Sequence, residues 1–132
     1  MSQEIQLEIV TPSKRLLTTT CNEVLVPGVW GEFGVLPSHA PLISTMVTGV
    51  AKYKEGNGTK SVAVKSGFAQ VNHNKVILLA DDAVLPSDLD AEELKQKMND
   101  LDAKLISSEV GIDERKSLLK ERDWLKTCLE IL

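Results

Sequence analysis

Residues 85–94 read Leu-Pro-Ser-Asp-Leu-Asp-Ala-Glu-Glu-Leu, and this stretch divides the chain into two parts of different character. All five prolines and seven of the eight glycines come before residue 87. Asp90 is placed to cap the N-terminus of a helix, and Glu93, three residues later, completes the pattern of a capping box. We therefore expect turns and strands in residues 1–86 and helices in residues 87–132.

The C-terminal part has the apolar periodicity of two helices. In the first, spacings of four, three and four residues place four apolar side chains on one face. A break at residues 107–111 separates it from a second helix over about residues 113–132. Such an antiparallel hairpin cannot bury both apolar stripes by itself, so it must dock on the rest of the chain or on another protein. The stripes are Leu94, Met98, Leu101 and Leu105, and then Leu118, Leu125, Leu129 and Leu132.

The N-terminal part consists of short apolar segments separated by turn residues. The segment from Ile5 to Ile9 alternates apolar and polar residues, as a half-buried strand does. Glycine, proline and asparagine end the segments that follow it. We predict an N-terminal antiparallel β-sandwich or flattened barrel, followed by the helical hairpin. The predicted strands are residues 5–9, 23–26, 42–47, 50–53, 61–64, 68–71 and 76–79.

The composition argues against several classes of protein. A chain of 132 residues leaves no room for a large enzyme fold, and a net charge of −4 with few aromatic residues argues against nucleic-acid binding. Cys21 and Cys128 have no zinc-binding or disulfide spacing, so we expect both to be reduced. The first residues lack the features of a signal peptide, and no segment is apolar for long enough to span a bilayer. We expect a soluble chain without direct membrane insertion.

Residues 27–41 form the most unusual segment. Its three glycines do not make a phosphate-binding loop, because the prolines that follow forbid the helix such a loop requires. We expect instead a rigid, exposed loop that presents Trp30, Glu32 and Phe33 at its tip. An exposed Trp and Phe on a stiff loop indicate a docking surface for another protein.

No group of residues indicates catalysis or metal binding. His39 and His73 are the only histidines, and the sequence gives neither of them a nucleophile or further metal ligands. Cys21 likewise lacks an activating base. We therefore expect a non-catalytic protein without a metal or cofactor, and a small hydrolase is the least favoured reading.

The second predicted helix carries five basic residues among five acidic ones. An ordinary solvated surface accounts for this pattern, and so does electrostatic docking onto an acidic partner. The basic residues are Arg115, Lys116, Lys120, Arg122 and Lys126.

Two longer motifs carry a resemblance that covers essentially the whole chain. Residues 26–42 read VPGVWGEFGVLPSHAPL, and residues 67–81 read GFAQVNHNKVILLAD, ahead of the charged hairpin. In this order the chain resembles the epsilon subunits of the F-type ATP synthases, components of the central stalk. The resemblance implies the same β-sandwich and two helices that periodicity predicts.

The resemblance also implies a non-catalytic rotor subunit on the cytoplasmic face of the bacterial inner membrane. Its sandwich would bind the gamma subunit and rest on the c-ring, coupling ring rotation to the catalytic head. Gly31, Glu32 and Phe33 would face the ring, Glu32 meeting the polar loops of c, and His39 would contact gamma. The hairpin, residues 87–132, would fold down on the sandwich or extend to the alpha and beta subunits. There its basic residues would face an acidic region of beta and block ATP hydrolysis.

The sequence departs from the family at several positions. Trp30 stands where the family has a small or polar residue, and Ser66 replaces the first glycine of a Gly-Gly pair. Of the motif by which some members bind ATP, Leu89 and Asp90 remain. Four of the other motif positions lack the charge that the motif has there, and at the fifth Leu94 replaces an alanine. The acidic replacements would repel a triphosphate. We expect no useful ATP affinity. The substituted positions are Val84, Glu93, Leu94, Asp123 and Thr127.

The alternative function is that of a free-standing β-sandwich adaptor. Such a protein would use the loop from Trp30 to Phe33 and the helical hairpin to bind a different partner. Co-purification distinguishes the two hypotheses, because gamma and the c-ring should be isolated together with a central-stalk subunit.

Overall fold

The computed structural model describes residues 4–107 and 109–132. The expectation drawn from the first three residues therefore lies outside the described residues, and so does Ser108 within the predicted helix break. A short 3-10 turn, Pro86–Asp88, joins the strands to the helices α1 (Ala91–Ile106) and α2 (Ile112–Glu130). The strands are β1 (Ile5–Val10), β2 (Arg15–Cys21), β3 (Glu23–Gly28), β4 (Gly31–Val35), β5 (His39–Met46), β6 (Gly49–Glu55), β7 (Gly58–His73) and β8 (Lys75–Val84).

The predicted β-sandwich followed by two helices is confirmed. The strands pair in the order β2-β1-β8-β7-β5-β3-β4, and β6 pairs with both β3 and β7. Strand β7 is 16 residues long and contains two segments that were predicted as separate strands, residues 61–64 and 68–71. Its first half, residues 58–64, pairs with β6, and its second half, residues 67–73, pairs with β5. The long strand therefore passes from one layer of the sandwich to the other.

One strand pair differs from the antiparallel expectation. β1 runs parallel to β8, with Leu7 opposite Val76 and Ile9 opposite Leu78. All four of these side chains are buried in the core of the sandwich. The alternation along β1 predicts that Leu7 and Ile9 point inward, but it carries no information on the direction of a partner about 70 residues away in sequence.

Two strands were not predicted. β2 reads RLLTTTC, whose burial does not alternate regularly, and it forms by pairing with β1 alone. β4 was expected to be part of an exposed loop, but Gly31–Val35 pairs antiparallel with β3 along its whole length. The loop prediction was wrong because backbone pairing with β3 overrides the low strand propensity of the glycines in this segment.

The first helix begins as predicted. The Asp90 carboxylate accepts hydrogen bonds from the backbone N–H groups of Glu92 and Glu93, at 3.0 and 3.3 Å. The side chain of Glu93 does not complete a capping box but forms an ion pair with Lys97, at 3.2 Å. Pairing along the exposed helix surface thus takes the carboxylate that the capping box would have used.

The helices form an antiparallel hairpin that is folded down on the sandwich. Ala63, whose neighbours in β7 face the sandwich core, is fully buried in a second apolar cluster with Leu94, Leu101 and Leu125. Leu132, predicted to lie in the same stripe, is 53% exposed because α2 ends at Glu130. The apolar stripes are thus buried against each other and against the outer face of β7.

Candidate partner-binding surfaces

Residues 27–32 form the tip of the β3–β4 hairpin. Gly28 pairs with Gly31, so the chain reverses at Val29 and Trp30. A Cβ atom at Gly28 would lie 2.9 Å from the carbonyl oxygen of Gly31, and Gly31 itself has a φ of 119°. Only glycine fits this turn without strain.

The hairpin tip presents a single, fully exposed aromatic side chain. Trp30 is 98% exposed, and Glu32 beside it is also exposed. Phe33, expected at the tip, is instead half-buried and packs against the sandwich core and against Gly28. The predicted exposure of Trp30 and Glu32 is therefore confirmed. The predicted exposure of Phe33 at the tip is wrong, because its side chain packs against the sandwich core.

A second surface lies on the outer face of the sheet and was not predicted. Phe68 of β7 lies opposite Leu79 of β8, and Ile43 lies on the neighbouring β5. These three side chains, the outer strip, are 71% (Ile43), 55% (Phe68) and 45% (Leu79) exposed. Exposed apolar side chains on adjacent strands are typical of a protein-protein interface. Alternation with the buried Ala69 and Leu78 was the sequence signal that could have placed Phe68 and Leu79 on the outer face.

The basic residues of α2 lie on the exposed side of the hairpin, with one exception. The Arg122 side chain donates a 2.8 Å hydrogen bond from Nε to Asp102 of α1, as part of an ion pair between the helices. It therefore joins the two helices in the folded-down hairpin. The four other basic side chains are exposed to solvent: Arg115, Lys116, Lys120 and Lys126.

The positions of the ATP-binding motif serve structural roles in this chain. Asp90 caps α1, and Leu89 and Leu94 contribute to the apolar cluster under the hairpin. The hydroxyl of Thr127 is buried and donates to the carbonyl of Asp123, at 2.9 Å. These four side chains are therefore packed or hydrogen-bonded within the protein, whereas Glu93 and Asp123 are exposed acidic residues.

Because these positions are apolar, buried or acidic, we expect ATP at millimolar concentration to leave the thermal unfolding midpoint of the isolated chain unchanged. A ligand at about 100 times its Kd would add about 2.7 kcal/mol to the free energy of unfolding, which raises the midpoint by several degrees. Differential scanning calorimetry with magnesium and ATP, against sodium sulfate at equal ionic strength, measures this. A rise with ATP alone would contradict the prediction.

The two thiols are buried in different parts of the molecule. Cys21 lies in the sandwich core, and Cys128 lies in the cluster beneath the hairpin. Burial raises the pKa of each thiol to about 11, so both are protonated at neutral pH. Neither is suited to act as a nucleophile, and both are shielded from reagents in solution.

This difference predicts unequal labelling rates. Cys128 becomes accessible when the hairpin lifts off the sandwich, whereas Cys21 requires opening of the core, which costs more free energy. We expect Ellman's reagent to modify Cys128 at least about ten times faster than Cys21 under native conditions. The variants Cys21→Ala and Cys128→Ala assign the two phases. Equal rates would mean that the hairpin does not open independently of the sandwich.

The described part of the chain contains no candidate metal cluster of three or more His, Cys, Asp or Glu side chains. Across residues 4–107 and 109–132, neither helix is both long and apolar enough to serve as a membrane span.

Comparison with known proteins matches the two parts of the chain to one family. Residues 4–86 match the model of the family described as "ATP synthase, Delta/Epsilon chain, beta-sandwich domain". The ATP synthase epsilon chain of Nitratidesulfovibrio vulgaris (strain DP4) is 37% identical over 117 residues, which are 89% of this chain and 87% of the relative. That of Magnetococcus marinus is 34% identical over 132 residues, which are 100% of this chain and 96% of the relative.

A solved structure has the same fold. The chain is similar to a subunit in the cryo-EM structure of the Euglena gracilis mitochondrial ATP synthase that contains OSCP, F1 and the c-ring. The TM-score is 0.80 at 20% identity, and the match covers 94% of this chain and 78% of that one. The likeness in structure extends over both the strands and the helices.

Proposed function

Because the chain belongs to the ATP synthase delta/epsilon chain family, we propose that it is the epsilon subunit of an F-type ATP synthase, a non-catalytic part of the rotating central stalk. Full-length similarity to epsilon chains is the observation that carries this proposal. The sandwich, residues 1–86, couples rotation of the c-ring to the catalytic head, and the hairpin, residues 87–132, regulates the enzyme. The subunit acts as a peripheral protein on the cytoplasmic face of the bacterial inner membrane.

The outer strip is the surface on which we place the gamma subunit. It is apolar, it lies on three adjacent strands, and each of its side chains is at least 45% exposed in the isolated chain. Burial of Ile43, Phe68 and Leu79 against gamma would remove apolar area from water without moving the backbone. His39, the further gamma contact that we propose, begins β5, the strand that carries Ile43.

The β3–β4 hairpin tip is the surface on which we place the c-ring. The shape of its turn is set by the backbone pairing of Gly28 with Gly31 and by the packing of Phe33 against the sandwich core. Trp30 contributes an aromatic contact, and Glu32 contributes a charge for the polar loops of the ring.

Reconstitution of proton pumping tests the stalk function. F-type ATP synthase stripped of its own epsilon subunit should regain ATP-driven proton pumping into vesicles when this chain is added. The variant with Trp30→Ser and Glu32→Ser should restore less pumping, while a control pair of exposed residues on α1, Lys95→Ser and Gln96→Ser, should restore as much as wild type. Failure of the wild-type chain to restore pumping would contradict the proposed function.

The hairpin regulates hydrolysis by changing position. In the folded-down form the apolar stripes and the ion pair between Arg122 and Asp102 are satisfied within the subunit. In an extended form the basic residues of α2 become available to an acidic region of beta, with transient contacts to alpha and beta. The balance between the two forms depends on a difference of a few kcal/mol.

Truncation after Pro86 tests this regulation. The sandwich keeps its own core, so the shortened subunit should still assemble. We expect the ATP hydrolysis rate of the assembled complex to rise several-fold relative to the complex with the intact subunit. The control is a complex whose subunit carries Lys75→Gln, an exposed substitution on β8 that leaves the hairpin intact and should leave the hydrolysis rate unchanged. An unchanged rate after truncation would contradict the inhibitory role and leave the coupling role standing.

A further inference from the structure

The only two histidines of the chain are brought together by the sheet. His39 at the start of β5 lies opposite His73 at the end of β7, 34 residues away in sequence. The two residues are cross-strand Cα partners at the end of this strand pair, beyond a shift of register between His39 and Leu42, so the sheet holds their backbones side by side. Both side chains are accessible: His73 is exposed and His39 is half-buried.

A short hydrogen bond joins the backbone segments beside the two histidines. The N–H of Ser38 donates to the side-chain oxygen of Asn74, at 2.6 Å. Ser38 directly precedes His39, and Asn74 directly follows His73. The turns are further specified by positive φ angles of 65° at Ser38 and 54° at His73. The two imidazoles are therefore mounted on backbone segments that are fixed relative to each other.

The ring of His39 is oriented by its neighbour. Its Nδ1 lies 2.7 Å from the carbonyl oxygen of Ala40. Because a carbonyl oxygen only accepts hydrogen bonds, Nδ1 carries the proton and donates, and Nε2 keeps its lone pair. A backbone carbonyl that fixes the tautomer in this way is the usual companion of a metal-binding histidine.

We propose that His39 and His73 form a surface site for a divalent transition-metal ion. Imidazole nitrogen suits Cu²⁺, Ni²⁺ and Zn²⁺, whereas Mg²⁺ and Ca²⁺ require oxygen ligands. The described residues offer no third His, Cys, Asp or Glu to complete a closed site. Water molecules fill the remaining positions, so the ion binds reversibly and more weakly than at a four-ligand structural zinc site.

Isothermal titration of the full-length, untagged, chelator-treated chain with Cu²⁺ tests this site. Wild type should bind one ion, and His39→Gln and His73→Asn should each weaken binding at least tenfold. Both substitutions are on the surface, and Asn accepts the positive φ at position 73, so the variants should fold. The control is Lys75→Gln, an exposed neighbour on β8 that should leave the affinity unchanged.

A second measurement does not depend on affinity. In the NMR spectrum, less than one equivalent of Cu²⁺ should broaden the imidazole signals of both histidines together in wild type. Broadening of only one imidazole would contradict a shared site, as would equal Cu²⁺ affinity in wild type and the His73→Asn variant. Absence of one-to-one binding in wild type would also contradict it.

Discussion

Replacing Gly67 with alanine should destabilise the sandwich more than any other single methyl group added to a glycine of this chain. A Cβ atom at this position would lie within van der Waals overlap of the backbone carbonyl of Leu79, and the residue has a φ of 114°. Gly67 lies where β7 leaves its pairing with β6 and begins its pairing with β5. The added methyl group would therefore clash with main-chain atoms of Leu79 and Ala80, and a change of side-chain rotamer cannot relieve that clash.

Gly31 provides a matched control for this prediction. Its φ of 119° is nearly the same, but a Cβ atom there would meet nothing within 4 Å. Gly31→Ala thus measures the cost of the backbone conformation alone. We expect Gly67→Ala to lower the free energy of unfolding by at least about 3 kcal/mol more than Gly31→Ala, in urea titrations followed by circular dichroism. Equal losses would mean that the corner relaxes to admit a methyl group.

Replacing Phe68 with glutamate should abolish binding to gamma while leaving the fold intact. Phe68 is the central residue of the outer strip, between Leu79 and the strand that carries Ile43. A buried aromatic side chain at the centre of an interface commonly contributes more than 2 kcal/mol, and an added carboxylate would have to be desolvated. We expect the affinity for the gamma subunit to fall at least about 100-fold, measured by biolayer interferometry.

Leu119→Glu is the matched control for Phe68→Glu. Leu119 on α2 is 50% exposed, close to the 55% of Phe68, and the substitution makes the same exchange of an apolar for an acidic side chain. It lies on the hairpin, away from the outer strip, so gamma binding should be unchanged. Both variants should unfold within about 0.5 kcal/mol of wild type, as surface substitutions usually do. Equal loss of gamma binding in both variants would show that the outer strip is not the docking surface for gamma.

The sequence predicts the elements whose signals are local. Asp90 marks the start of α1, and the leucine spacing predicts which helix faces are buried. The period-two pattern of Ile5, Leu7 and Ile9 predicts β1 and its buried face. In each case a few neighbouring residues determine both the conformation and the direction of the side chains.

The missed features depend on pairing between distant segments. β2 and β4 form because β1 and β3 supply hydrogen-bonding partners, which no pattern inside these strands reveals. The joining of two predicted strands into β7 has the same origin, since β8 pairs along both halves of that strand. Register over long distances, rather than local propensity, determines these parts of the fold.

The candidate binding surfaces also divide into those with a local sequence signal and those that depend on pairing between distant segments. Trp30 and Glu32 are predictable because a turn rich in glycine is exposed wherever it lies. The outer strip requires knowledge that Phe68 faces Leu79 across two strands, and the pairing of His39 with His73 requires the register of β5 on β7. The engagement of Arg122 with Asp102 depends on how the two helices pack.

Co-purification is the measurement that tests the central claim most directly. The chain, carrying a C-terminal affinity tag, is expressed in its own organism and isolated from membranes solubilised in mild detergent. If it is the epsilon subunit of the central stalk, gamma and the c-ring should elute with it in stoichiometric amounts, and Phe68→Glu should lose gamma. Elution of the wild-type chain without gamma and the c-ring would contradict the assignment and favour a free-standing adaptor.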